Sequence, residues 1–530
     1  MKVPLFEGPT FSVHCTGLRP LKPAIEDALV SLTKIIASLT GTAAVINQED
    51  KELPALCLQR QSLRMSGPVS CGGRGGMFLA PINSQWTATV EVRKSMSIQE
   101  SQPSEPVYVV DGARSPFIKA GDRPGPFHAG DLAAQTGAAL LLRQPFNAEE
   151  IDEVILGNTM AGPEEANIGR VAALRMGCGE ATPGYTVHRN CASGMQALDN
   201  AAASIADGRS DLILAGGVEA MSHAPVLLRE DMLNWLADWR NADSPLEKIK
   251  LIPEFETQYV QPVIGLLRGL TDPIVGLNMG QTTEKEAEHF GVSRRSMDEY
   301  AALSQQRLAH ADGAGYFKEE RTSLYSPDGT FFDKDNGMRP DTTAESLARL
   351  KPAFDPFGSV TAGNSSQITD GACWLLLASE QGLKKHGLTP IARLAHTAWA
   401  ALDPSMMGLG VTLSSTAILK QRGWGLDDID YWEINEAFAG QVLACLNAWA
   451  DDAYCREQLG LEQALGELDM TRLNVDGGAI GLGHPIGASG ARIVLHLIHV
   501  LRRHQTRRGI ASLCIGGGQG GAMLVENIES

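Results

Sequence analysis

The sequence predicts an α/β protein made of two similar halves, with a mostly parallel sheet and a loop domain inserted between them. Three observations predict it. Short apolar strand-like runs alternate with longer helix-forming runs. The same order of strand, helix and strand occurs twice, and residues 227–357 interrupt it. In the first half, Val107-Tyr-Val-Val110 leads into the turn Asp111-Gly-Ala-Arg114-Ser-Pro116. Ile151-Asp-Glu-Val-Ile-Leu-Gly-Asn158 then reads as a buried strand, Ala192-Ser193-Gly194 opens an apolar helix, and Asp211-Leu-Ile-Leu-Ala-Gly216-Gly217 is the next strand. In the second half the order returns as Ile429-Asp-Tyr-Trp-Glu-Ile-Asn435, then Ala488-Ser489-Gly490, then Ile510-Ala-Ser-Leu-Cys514-Ile-Gly516-Gly517. Two such halves facing each other leave a cleft at their helix N-termini.

The boundaries follow from this pattern. Residues 105–226 together with 358–379 form the N-terminal half, 380–530 the C-terminal half, and 227–357 the inserted domain. The insert carries a tryptophan-bearing helical segment, Met232 to Trp239, and the basic residues Lys248, Lys250, Arg268, Arg294 and Arg295. It is expected to lie over the cleft and supply ligand contacts, as loops on a rigid scaffold do. Residues 1–104 are weakly periodic and end in the polar run Gln99 to Pro106, so they read as a poorly ordered extension with no part in catalysis.

The composition excludes several function classes. With 530 residues, two or three domains are expected. A net charge of -17 argues against a nucleic-acid binder, which needs a basic surface. The nine cysteines lack paired CxxC spacing, so neither a disulfide framework nor a zinc site is expected, and a reducing compartment fits. The apolar stretch Ala28 to Ile46 is broken by Lys34 and several hydroxyl residues, too polar to span a membrane. A cytoplasmic location is the expectation.

Four segments could carry chemistry. Cys191 lies in His188-Arg-Asn-Cys191-Ala-Ser-Gly194, in the turn entering a helix, where free backbone N–H groups and the macrodipole should lower its pKa. Taken alone, a cysteine is more often a small core residue than a nucleophile. His484 sits among the glycines 477, 478, 481, 483, 487 and 490, with Pro485 behind it. A histidine held rigidly suits proton transfer near neutrality, although a capping histidine in a glycine turn gives the same pattern. Cys514 ends an apolar strand and enters Gly516-Gly517-Gly518-Gln519-Gly520-Gly521, which matches GxGxxG. A dinucleotide fingerprint needs a following helix and strand, and the sequence ends at Ser530, so that reading fails. The loop is better suited to offer N–H groups to an oxyanion while Cys514 acts as acid and base, with a plain strand cysteine as the other reading. Asn435, at a strand end, could orient a water or simply form a turn.

Together these segments resemble the thiolase family over residues 107–530. The resemblance rests on Asn190-Cys191-Ala192-Ser193-Gly194, Gly216-Gly217-Val-Glu219-Ala-Met221-Ser222, Thr361-Ala362-Gly363-Asn364-Ser365-Ser366, Asn435-Glu436-Ala437-Phe438, Gly483-His484-Pro485 and Cys514-Ile515-Gly516-Gly517-Gly518. It implies a duplicated α/β/α/β/α layered fold and a CoA-dependent acyltransferase of fatty-acid metabolism such as β-oxidation. It further implies an acyl thioester on Cys191, His484 as its base, Cys514 as acid and base at the α-carbon, and oxyanion holes from His484 with an Asn435-held water and from the N–H groups of Cys191 and Gly516. Contacts to acyl-CoA and CoA map onto Ser366, Met279, Met407 and Phe438. CoA is then a substrate, with no permanently bound cofactor and no metal. Asn278 stands where short-chain biosynthetic members commonly have His, and the insert resembles the thiolase subunits of fatty-acid oxidation complexes. That implies a homo-oligomer (dimer or tetramer) with a hydratase/dehydrogenase partner subunit. A ketoacyl synthase would not need Cys514, and a non-catalytic CoA- or lipid-binding carrier would not need the whole set.

Overall fold

A computed structural model describes residues 99–101 and 105–528. The extension expected over residues 1–104 lies outside the described residues, apart from the short strand β1 (Gln99–Ser101). The principal strands that follow are β2 (Val107–Arg114), β3 (Glu153–Gly157), β4 (Gly184–Val187), β5 (Leu212–Ala220) and β6 (Thr369–Ala378). The second half adds β7 (Ala392–Ala401), β8 (Tyr431–Ile434), β9 (Arg508–Ile515) and β10 (Gln519–Asn527). They form one sheet in the order β8-β9-β10-β7-β2-β6-β5-β3-β4, while β1 pairs with the Thr397–Trp399 portion of β7.

This sheet corrects one expectation. Only β3–β4, β3–β5 and β8–β9 pair parallel, while β2–β6, β5–β6, β2–β7, β7–β10 and β9–β10 are antiparallel. The centre of the sheet is therefore antiparallel and the parallel pairs lie at its two ends. The strand–helix–strand units were correctly placed in each half. The returning strands β6, β7 and β10 were not, because they follow a long insert, a short helix and a glycine turn instead of a helical crossover.

Both faces of the sheet are covered, so β5 and β6 are buried along their whole length. Alternation sorts their side chains: Ile213 and Ala215 enter the inner core, while Leu212, Leu214 and Val218 enter the outer one. The inner core joins both halves around two central helices, α2 (Ser193–Ala206) and α9 (Ile486–His504). Outer layers come from α1 (Ala129–Leu141) on the first half, and from α7 (Gly410–Arg422) and α8 (Ala439–Ala450) on the second.

The repeated Ala-Ser-Gly triplets have a physical reason. A Cβ on Gly194 would lie 2.9 Å from Ala491 N, and one on Gly490 would lie 2.6 Å from Met195 N. Each glycine admits the backbone of the other central helix, so the duplication seen in the sequence is a close reciprocal crossing of α2 and α9.

The insert begins with α3 (Glu230–Asn241) and α4 (Pro245–Leu251). Trp235 and Trp239 stack at 5.3 Å, and Trp235 Nε1 donates to Leu251 O at 2.9 Å, tying the two helices together. Two longer helices follow, α5 (Met279–His289) and α6 (Arg294–Ala314). Asn278 and Gln281 form a capping box that fixes the start of α5, and so the position of Met279.

Candidate active site

Cys191 stands two residues before the start of α2 at Ser193, in a turn closed by its neighbours. Asn190 adopts a left-handed conformation with φ 44, which Asn tolerates better than most residues. The Ser193 hydroxyl accepts from Arg189 N at 2.9 Å and donates to Asn190 O at 2.7 Å, so the turn is tied on both sides of the sulfur. Cys191 itself is partly exposed.

The Gly516 turn faces this one. Asn190 Nδ2 donates to Gly516 O at 2.8 Å, which sets the Gly516 backbone beside the Cys191 turn, where its N–H works against the burial that raises the thiol. Cys514, two residues earlier, is buried and so close that a thiolate on Cys191 would push its thiol further up. Met279 reaches the same turn from the insert, with Sδ 3.4 Å from the position of a Cβ on Gly516. Leu266 and Leu270 of the insert pack with Met221, Ile486 and Cys191. The glycine turn leads into β10 as a hairpin, not into a helix, in keeping with the rejected dinucleotide reading.

The His484 turn completes the floor. The carbonyl of Gly487 lies 2.8 Å from where a Cβ on Gly194 would stand, so the turns of Cys191 and His484 abut. His484 Nδ1 is 2.6 Å from Ser489 Oγ, and that hydroxyl also donates to Pro485 O at 3.1 Å. Ser489 has one proton. With it on Pro485 O, the oxygen accepts from His484 Nδ1–H, which leaves the lone pair on Nε2. Nε2 is buried and has no hydrogen-bond partner among the described residues. Burial and the Arg492 charge lower the His484 pKa to about 4, so the ring is neutral near pH 7. Asn435 is fully buried with Nδ2 likewise unpartnered, while its Oδ1 lies 3.5 Å from Arg492 Nη2. His484 Nε2 and Asn435 Nδ2 are thus two buried polar atoms able to take part in a further hydrogen bond at the floor of the site.

One expectation is overturned. The position before α2 was expected to lower the Cys191 pKa, but burial pushes the thiol up, and the N–H groups of Gly516 and Cys191 offset only part of this. Desolvation is the largest influence on the sulfur, which therefore rests as a thiol.

The remaining residues surround these. Met407, Phe438 and Cys514 share one apolar cluster, with Met279 packed against it. Ser366 N donates to Ala437 O at 2.9 Å, which holds the Ser366 segment beside the strand end at Asn435. Glu436 is not aimed at substrate; it accepts from Tyr300, Ser304 and Asn474 and braces the floor. Sequence reasoning missed Ser489, Arg492 and Glu219. The Glu219 carboxylate, pushed up to about 7 by burial, accepts from Asn158, Met160 and Gly487 and so ties the two halves together beside Cys191. A carboxylate within the otherwise apolar, glycine-bearing strand β5 was the available signal. Among the described residues no group of acidic, Cys and His side chains has metal-site geometry, and no helix is long and apolar enough to cross a membrane.

The abutting turns of Cys191, His484 and Gly516 bring a partly exposed thiol, a neutral buried imidazole and a second thiol into one region, the residue types that cysteine acyl transfer uses. Residues 107–381 match the family model described as thiolase, N-terminal domain, and residues 388–527 that of thiolase, C-terminal domain. The chain belongs to the thiolase family, and it is a CoA-dependent acyltransferase with thiolase activity. It is 39% identical over 432 residues to the beta-ketoadipyl-CoA thiolase of Pseudomonas aeruginosa, covering 80% of this chain and 100% of that one. The acetyl-CoA acetyltransferase of Allochromatium vinosum is 36% identical, with 80% and 100% covered. The crystal structure of human mitochondrial 3-ketoacyl-CoA thiolase in complex with CoA superposes with a TM-score of 0.69 at 35% identity, covering 80% of this chain and 99% of that one.

Proposed function

We propose that this chain cleaves 3-ketoacyl-CoA with a second CoA, and runs the reverse condensation, through an acyl thioester on Cys191. Cys191 gives its proton to His484 Nε2 as the sulfur attacks the keto carbon. The bond between the keto carbon and the α-carbon breaks, leaving the acyl group on Cys191 and an acetyl-CoA enolate that takes its proton from Cys514. The incoming CoA thiol gives its proton to the Cys514 thiolate and attacks the thioester, and Cys191 leaves with the proton held by His484. In condensation Cys514 removes the α-proton of acetyl-CoA. The His484 Nε2 and a water on Asn435 Nδ2 serve one oxyanion, and the N–H groups of Cys191 and Gly516 the other. The thioester itself activates the α-carbon, so neither a metal nor a nicotinamide takes part. Met279, Met407, Phe438 and Ser366 contact the pantetheine arm.

The observation that carries this reading is the pair of open buried atoms, His484 Nε2 and Asn435 Nδ2, set in the floor that holds both sulfurs. Among substrates, a 3-keto acyl group ending in a carboxylate competes with a plain fatty acyl group, because relatives carry the names beta-ketoadipyl-CoA thiolase and 3-ketoacyl-CoA thiolase. β-Oxidation is thus one setting of the reaction in this proposal, within a reducing, cytoplasmic compartment that keeps both catalytic sulfurs as thiols. The active species is a homo-oligomer, and α3 and α4, which bury no residue and expose Leu233, Leu236, Leu246 and Ile249, are the surface for a hydratase/dehydrogenase subunit. Thiolysis rates over 3-ketoacyl-CoA of graded length, with 3-ketoadipyl-CoA included, test the reading. Turnover of at least one member supports it, and none with any 3-ketoacyl-CoA refutes it.

A further inference from the structure

We propose that Asn190 is a positioning residue that holds the Gly516 turn against Cys191 and thereby builds the N–H oxyanion site. The inference rests on the Cys191 thioester reading and deepens it. Gly516, Gly517 and Gly518 are consecutive, and the latter two have φ 90 and φ 74. The Ile515–Gln519 strand pair and the Leu402 N–Gly518 O bond of 2.8 Å fix the two ends of this turn, but a run of glycines has no side chains with which to hold Gly516 against Cys191. That contact comes from outside. Asn190 Nδ2 donates to Gly516 O at 2.8 Å, across 326 residues of sequence. Met279 Sδ stands 3.4 Å, and Asn190 Nδ2 3.7 Å, from the place of a Cβ on Gly516. With its carbonyl held by Asn190, Gly516 is kept beside the Cys191 turn, where its N–H works against the burial that raises the thiol.

Asn190 is suited to this by two independent properties. Its backbone takes the left-handed φ of 44 that turns the chain into Cys191, a conformation open to Asn and Gly. Its carbonyl is pinned by Ser193 N at 3.0 Å and Ser193 Oγ at 2.7 Å, so the side chain projects from a fixed stem. One residue thus sets the nucleophile's turn with its main chain and the oxyanion turn with its side chain.

The two properties separate by substitution in the full-length protein. Asn190→Gly keeps the backbone conformation and removes only the amide. Its kcat for thiolysis of acetoacetyl-CoA should fall about tenfold, with the KM for CoA within about twofold and a melting temperature within a few degrees of the wild type. The pH midpoint for iodoacetamide alkylation of Cys191 should move up, because a thiolate loses an N–H held beside it. A merely structural residue would not move that midpoint. Asn190→Asp, which sets a carboxylate oxygen against the Gly516 carbonyl, should be slower than Asn190→Gly. The proposal is overturned if Asn190→Gly retains wild-type kcat and alkylation profile, if its loss of kcat matches only a loss of folded protein, or if Asn190→Asp is as active as Asn190→Gly. Cys191→Ala in the same assay separates the two levels. Turnover without Cys191 would remove the thioester reading, whereas a dead Cys191→Ala beside a normal Asn190→Gly removes the clamp alone.

Discussion

Ser489→Ala should slow catalysis while the protein still folds, and its size can be worked from the contacts of one hydroxyl. Ser489 is fully buried and meets His484 Nδ1 at 2.6 Å and Pro485 O at 3.1 Å. Removing the hydroxyl leaves the Nδ1–H without an acceptor. A buried donor left in that state costs about 1–3 kcal/mol. The ring can avoid the cost only by moving its proton to Nε2, where it can no longer take one from Cys191. Either route lowers acylation, by roughly 5–150-fold at about 1.4 kcal/mol per factor of ten. Binding of CoA should persist, because Ser489 lies behind the imidazole. Stopped-flow acylation from acetyl-CoA isolates this step from the later transfer. A rate within about twofold of the wild type, with folding intact, would show that the Nδ1 contact does not set the tautomer.

Other outcomes follow from the same geometry. Cys191→Ala should abolish thiolysis while CoA binding, measured by calorimetry, survives. Cys514→Ala should still accept an acyl group from acyl-CoA yet make and break no carbon–carbon bond, and normal condensation in that variant would reject its acid–base role. Gly490→Ala should destabilise the protein by about 1–3 kcal/mol in urea titration, because its Cβ would stand 2.6 Å from the backbone nitrogen of Met195. For His484 the folded pKa, about 4, lies below the ordinary 6.5. As pH falls from 6.5 towards 4 the unfolded chain takes up this proton first, so the stability linked to His484 is present above 6.5 and lost on the way down. The acylation rate should accordingly show no histidine titration between pH 8 and 5, and an inflection near 6.5 that vanishes in His484→Asn would contradict the burial argument.

Much of the site was legible because glycine and cysteine are informative residues. The Ala192-Ser193-Gly194 and Ala488-Ser489-Gly490 triplets revealed the duplication, and their glycines prove to be where the two central helices touch. The parallel sheet was misread because periodicity locates strands but not their partners; β6 joins β5 and β2 only after a long insert has intervened. The Cys191 thiol was misjudged for a related reason. Helix position can be read locally, whereas desolvation depends on what packs around the turn, and that includes Ile486 from the other half. Arg492 illustrates the limit. Within an apolar helix it reads as an exposed cation, yet it is buried against Glu433 at 3.3 Å and Asn435 at 3.5 Å. Only the tertiary fold brings those three together. Asn190 carried a fainter hint, as a residue tolerant of left-handed backbone placed directly before a nucleophile.

The most direct test is to catch the covalent intermediate. The full-length protein is mixed with acetoacetyl-CoA in the absence of free CoA, quenched in acid, digested and sequenced by mass spectrometry. The acetyl group should be found on the peptide containing Cys191, absent from that containing Cys514, and discharged when CoA is added before the quench. An enzyme that turns over normally yet carries no acyl group on Cys191, or carries it on another residue, would contradict the account.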